Sequence, residues 1–207
     1  MNLCKRAVVM VGVLSLAGCA LLPTGSKKKA EKTYLIAPVL DIGATGERGR
    51  CGVIQVGVGP AVAGQRGANM TYTLDSYELS YFAFARWGDA PSRMLQDQMR
   101  VALGASGAFS GVLSAPVSAQ TDYQLELADV SVVQRFADEA SSALAMAFEV
   151  RLYDGDRRHL LAAQGLETRV AAGGDAPSGV AAANAAASDL LAQATEFVLA
   201  RCGLSEL

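Results

Sequence analysis

Histidine is almost missing from this chain: His159 is the single one among 207 residues. A zinc site with two histidine ligands cannot be built within one copy, and a histidine-centred triad would have to use His159 itself, which follows Arg157 and Arg158 at an expected hairpin turn. Excess charge is missing too. Eighteen Lys and Arg stand against 20 Asp and Glu, a net charge of -2, and no run of basic residues lies on a folded segment. That excludes the electrostatic footprint of a nucleic-acid binder. There is no Gly-x-Ser-x-Gly elbow; Gly104-Ala105-Ser106-Gly107 only imitates one. Gly57-Val58-Gly59 lacks the continuation of a dinucleotide loop, and no P-loop lysine occurs. No catalytic, metal or cofactor motif is present, so a non-enzyme without cofactors is the expectation. A carboxylate pair would escape such a census. Glu126, Asp129 and Glu149 are the candidates for one, and on strands they are expected to face solvent.

What is present begins at the N-terminus. Lys5 and Arg6 precede the uncharged run Ala7 to Ser15, and Leu16-Ala17-Gly18-Cys19 follows. The run is too short to span a bilayer, which takes about 20 apolar residues. The order of positive end, apolar middle and small residues at the cut is that of a secretory signal. A cysteine after the cut makes it a bacterial lipobox, so residues 1–18 are expected to be removed and Cys19 acylated as the mature N-terminus. Diacylglycerol plus an amide-linked chain, at about 0.8 kcal/mol per buried methylene, is a stable membrane anchor. Ala20, not Asp, follows the cysteine, the arrangement expected for transfer to the outer membrane with the domain facing the periplasm. Loss of Lys5 and Arg6 leaves a mature chain near -4 (about 16 basic against 20 acidic residues).

Residues 19–32 read as a flexible tether, with Pro23, Gly25 and Lys27-Lys28-Lys29, and residues 33–207 as one domain. Of four cysteines, Cys4 leaves with the signal and Cys19 carries lipid. Cys51 and Cys202 remain, either as a disulfide in an oxidising compartment or as two unpaired buried residues.

Strand patterns run through Thr33–Ile36, Val53–Val58, Met70–Leu74 and the aromatic stretch Tyr77–Trp87, which is apolar in both phases and expected to be buried on both faces, the alternative being one aromatic face presented to a partner or a lipid. Asp89 and Pro91 open a helix with Leu95, Met99, Ala102 and Leu103 on one face, stopped by Gly104 and Gly107. A short edge strand near Phe109–Leu113 follows. Tyr123, Leu125 and Leu127 alternate and then slip phase to Val130, which indicates a bulge. Leu144 to Leu152 alternate without a fault, Asp154-Gly155-Asp156 turns, and Leu160–Val170 returns. Pro177-Ser178 opens a last helix striped with Val180, Ala183, Ala187, Leu190, Leu191, Ala194, Phe197 and Val198. Two amphipathic helices need a sheet to cover, so an α+β two-layer sandwich with a mostly antiparallel sheet is expected.

The run Tyr81-Phe82-Ala83-Phe84-Ala85-Arg86-Trp87-Gly88-Asp89-Ala90-Pro91 resembles a signature of the ABC-type transport auxiliary lipoproteins, typified by the paraquat-inducible lipoprotein. In that family a Tyr-rich strand ends in Arg-Trp, followed by an acidic or small residue, Pro and an amphipathic helix. The lipobox, the patch Tyr34–Ile36, the strand ending at Pro60 and Phe109 after the helix agree, over about residues 33 to 200. The resemblance implies a non-catalytic, outer-membrane-anchored component of a system that moves phospholipids or related lipids, docking a periplasmic protein with a mammalian-cell-entry (MCE) domain. Symmetric MCE assemblies make a homo-oligomer reasonable. Tyr81, Arg86 and Trp87 are either a structural pivot between strand and helix or, on an exposed patch, an interface. Two other classes stay open: an assembly or pilot lipoprotein for an outer-membrane protein or secretion channel, and a periplasmic hydrolase with an acidic site.

Overall fold

The chain divides into Met1–Ala30 and Glu31–Leu207. The computed structural model describes residues 30–44, 48–75 and 77–202. The signal, Cys19 and the lysines of the tether lie outside the described residues.

The elements are β1 (Lys32–Tyr34), β2 (Val53–Val58), β3 (Asn69–Asp75), β4 (Glu78–Trp87), α1 (Pro91–Ser106), β5 (Gly111–Ser114), β6 (Tyr123–Phe136), β7 (Ser141–Asp154), β8 (Leu160–Gly173) and α2 (Ala176–Leu199). All eight strands join one mixed sheet, curled as a half-barrel, so the class is α+β. The mostly antiparallel sandwich expected from the sequence is corrected here. Of the seven pairings, β1–β4, β2–β5, β2–β6 and β3–β6 are parallel, and only β3–β4, β6–β7 and β7–β8 are antiparallel. The cause is connection geometry. The chain returns from β4 through α1 before laying down β5 and β6, and a helical crossover favours parallel pairing where a tight turn would give a hairpin.

β6 is the hub. One edge pairs with β7 along nearly its whole length. The other edge carries two strands end to end: β2 along Tyr123–Leu127 and β3 along Val133–Arg135. Between them the ladder shifts register from Ala128 to Ser131, and Asp129 takes the left-handed conformation at φ 52°. Short polar side chains enter that region more readily than most residues. The phase slip in the sequence is this bulge.

The gap left on that edge is closed by the loop between β2 and β3. Gly59 N–H donates to Leu127 O at 2.9 Å and Asp129 N–H to Pro60 O at 3.2 Å. The buried Gln65 accepts from Val132 N–H at 2.7 Å and donates to Ser131 Oγ at 3.1 Å. The Thr71 hydroxyl donates to Val132 O at 2.6 Å. A backbone that two strands leave unpaired is thus satisfied by side chains.

The core lies under the helices. From β7, Leu144, Met146, Phe148, Val150 and Leu152 are buried on one face, against the stripe of α2 running from Ala183 to Val198. α1 buries Leu95, Met99 and Leu103, and its Gln96 donates to Val56 O at 2.8 Å and to Ala115 O at 3.2 Å, fixing the helix across β2 and the end of β5. The cap of α1 is Ala90, one residue past the expected Asp89, whose carboxylate instead accepts from Ala90 N–H at 2.7 Å. Gly104 does not stop this helix, which continues to Ser106. Gly107 ends it at φ 70°. α2 is capped by Asp175, which accepts from Ser178 N–H at 2.9 Å. The Ser178 hydroxyl and then that N–H hold the Asp175 carboxyl below its ordinary range. Cys51 and Cys202 form a disulfide, Cα atoms 5.2 Å apart, joining the approach to β2 with the end of α2. A loop this long is worth about 4–5 kcal/mol in the chain-entropy model.

Candidate functional site

Three surfaces carry the residues that the sequence singles out. On the first, Glu126, Asp129 and Glu149 do come together, but around a guanidinium. Arg151 bonds Glu149, reaches Asp129 Oδ2 at 3.1 Å and Glu126 Oε1 at 3.4 Å. Arg157, left-handed at φ 57°, meets Glu126 Oε2 at 2.6 Å and lies over the Tyr153 ring at 4.5 Å. The Glu126 side chain is only 9% exposed, so its two guanidinium partners offset the cost of burial. The hydrogen bond that Arg151 donates to Glu149 raises its pKa, and the one that Arg157 donates to Glu126 does the same there. Every carboxylate of the group is paired with a cation. The arrangement clamps the β6 bulge to β7. The expected solvent-facing placement holds for Asp129 and is corrected for Glu126.

The second surface is β4. Trp87 is 1% exposed; its backbone N–H donates to Ala68 O at 2.8 Å, and its register partner is Tyr34 of β1. It sits in the core at the junction of strand and helix. Arg86 points outward, with Glu31 Oε2 3.9 Å from its Nη1, a surface pair of little energetic weight. Tyr81 is half exposed and donates to Gly64 O at 3.2 Å. The expectation of burial on both faces is corrected: Leu79, Tyr81 and Phe84 are exposed to between 38% and 48%. No helix packs extensively on β3 or β4. The Gly64 turn lies against Leu79 and Tyr81, and a Cβ there would meet the Leu79 side chain. On the inner side, Tyr72, Phe82 and Phe136 form a cluster with ring centroids 4.8 to 6.3 Å apart.

The third surface was missed by sequence reasoning. It is the face of β6, β7 and β8 turned away from the helices. Ala143, Ala145 and Ala147 line its middle, and a cleft of about 320 Å³ opens over Ser131, Arg135, Ala145, Glu167 and Arg169. The alternating alanines of β7 were its only signal. They show which face is shallow and leave the neighbours across it unnamed.

Among the described residues no group of three His, Cys, Asp or Glu could hold a metal ion, and no helix is long and apolar enough to cross a membrane. His159 is exposed at the β7–β8 turn, its Nδ1 2.7 Å from Asp154 Oδ2.

Comparison with known proteins places this architecture. A crystal structure of protein XCC0632 from Xanthomonas campestris, of family DUF330, matches with a TM-score of 0.71 at 16% identity, covering 84% of this chain and 98% of that one. A second crystal structure, of an uncharacterized protein, matches with a TM-score of 0.58 at 11% identity over 82% of this chain and 99% of that one. At these identities the likeness is one of fold. A PelC dodecamer from Paraburkholderia phytofirmans lies further off, with a TM-score of 0.40 at 14% identity over 76% of this chain and 94% of that one. No functionally curated protein matches the sequence. The model of the ABC-type transport auxiliary lipoprotein component matches residues 45–195, from just before Cys51 to the last turns of α2. The chain belongs to that family.

Proposed function

We propose that this protein is the outer-membrane-anchored auxiliary lipoprotein of an ABC-type system that moves phospholipids or related lipids between membranes, and that it acts by docking a periplasmic MCE-domain protein. The observation that carries the reading is the family match over residues 45–195. The lipobox ending at Cys19, with Ala20 behind it, supports the anchor and its location. The paired state of Glu126, Asp129 and Glu149 supports binding over turnover, since a general acid or base needs a proton-accepting or proton-donating group free at the substrate. Leu79 and Tyr81, exposed on β4, and Arg86, exposed near its end, supply aromatic and cationic side chains of the kind that anchor protein interfaces. Trp87 is their internal support.

The test is recovery of the acylated chain from cross-linked membranes under mild detergent. An MCE-domain protein is expected with it, and Tyr81→Ala with Arg86→Ala should reduce that recovery without lowering the amount of auxiliary protein. Recovery of an outer-membrane channel in its place, or of no MCE-domain protein, would overturn the proposal.

A further inference from the structure

We propose that the outer edge of β8 pairs with β8 of a second copy, antiparallel, about a two-fold axis through Thr168. This inference does not rest on the transport reading above.

β8 is 14 residues long and, among the described residues, pairs as a strand only with β7; the Gln134 amide of β6 reaches it only at its last residue, Gly173 O, at 3.1 Å. Its register with β7 is unbroken from Gly173 to Ala162, and the single shift lies beyond, at the turn. Long edge strands are normally blunted by proline, by a bulge or by a covering segment, because their free N–H and C=O groups template further pairing. β8 has no proline, and its run from Ala162 to Gly173 has no bulge. The other sheet ends, β1 and β5, are only 3 and 4 residues long.

The side chains select the partner. Pairing about Thr168 sets Glu167 opposite Arg169 of the second copy and Arg169 opposite its Glu167, both on the open face of the sheet. On the helix-covered face it sets Leu166 opposite Val170, with Thr168 facing itself. Opposite charges and paired threonines across strands are favourable. Within one chain, neither Glu167 nor Arg169 has an ion-pair partner among the described residues. Neighbouring registers are disfavoured. A slip of one residue on each strand preserves the faces but sets Glu167 against Glu167, or Arg169 against Arg169, according to direction. Slips of the other parity turn the apolar face of one copy to the open face of the other. The flank above this edge accepts a close neighbour as well. Val170, Ala172, Ala181, Ala182 and Ala185 line a cleft of about 480 Å³ between β8 and α2. No charged side chain lines it, and the alanines of the two α2 helices would face each other across the axis.

The experiment uses the full acylated chain in its native membrane. Thr168→Cys is oxidised with copper phenanthroline and read on a non-reducing gel. Directly opposed residues have Cα atoms about 4.5 or 5.5 Å apart, inside the range a disulfide spans, so a band at twice the chain mass is expected. Gln164→Cys and Ala172→Cys should cross-link only when the two are co-expressed. Each lies roughly 26 Å from its own copy, about eight residues at 3.3 Å. Glu167→Arg should cut the Thr168→Cys product at least tenfold, and adding Arg169→Glu should restore it. Thermal unfolding by circular dichroism, matched to the parent, qualifies each variant as folded. Absence of the Thr168→Cys dimer, a product with a protein of another mass, cross-linking of Gln164→Cys alone, or indifference to Glu167→Arg would each overturn the proposal.

Discussion

Two limbs meet on β6 and are built on different principles. On one side, β7 and β8 run 14 residues each in near-continuous register, and every second side chain of β7 enters a core closed by α2. On the other, β3 and β4 pair with two register shifts, β1 adds three residues, and cover comes mainly from loops. The first limb is held by repetition and the second by particular contacts: the Gln65 amide at the bulge, the Tyr72–Phe82–Phe136 cluster and Trp87 at the strand end. Loss of one repeated contact in the long limb leaves its neighbours in place. In the short limb each contact has no duplicate, so damage there should be concentrated at a few residues and absent at the rest.

The strongest way to break that comparison is Trp87→Ala, which empties a fully buried ring site and should cost about 3–5 kcal/mol. Urea unfolding followed by far-ultraviolet circular dichroism measures it. A loss below that of Leu152→Ala in β7, expected at about 2–5 kcal/mol, would show that the short limb is not held at one point. Next comes Gly179→Ala in α2. The new Cβ would intrude on Gln134 Oε1, whose amide nitrogen holds Ser142 Oγ at 2.8 Å and the carbonyls of Gly173 and Asp175 at 3.1 Å. A loss of about 1–3 kcal/mol is expected. Gly104→Ala in α1, with open space around it, should gain about 0.5–1 kcal/mol in the same assay. Gln65→Ala strands the buried Val132 N–H and should cost about 1–3 kcal/mol, with faster amide exchange confined to residues around the bulge. The smallest effect belongs to Tyr81→Phe, which loses a half-exposed bond to Gly64 O and should shift the unfolding midpoint by less than about 1 kcal/mol.

The same contrast decides what could be read from the chain. β7 and α2 were legible because their burial follows a period, two and 3.6, that a sequence displays directly. The bulge was legible as a phase slip at Val130. Parallel pairing of β2 and β3 on one edge of β6 was not, because partner choice depends on where the connections travel rather than on the strands themselves. The aromatics of β4 misled for a related reason: apolar residues in both phases predict two covered faces, and only packing around the strand supplies the covers. Arg151 as the meeting point of three carboxylates required the β6–β7 register, which two separated strands do not encode individually. Leu16-Ala17-Gly18-Cys19 is the opposite case, a local motif complete in four residues.

The segment after β1 has a mechanical consequence. Past Tyr34 the chain crosses α2: Ala37 N–H donates to Asn184 Oδ1 at 2.7 Å, Asn184 Nδ2 donates to Leu35 O at 3.2 Å, and Ser188 Oγ donates to Val39 O at 2.8 Å, while Ile36 is buried between. Tension applied at Glu31 therefore loads the edge strand β1 against β4 first and then the last helix. From α2 the strain passes through Cys202 to Cys51 and into the start of β2. A pull at one end of the domain is delivered to its centre, as it is in a strap riveted at both ends.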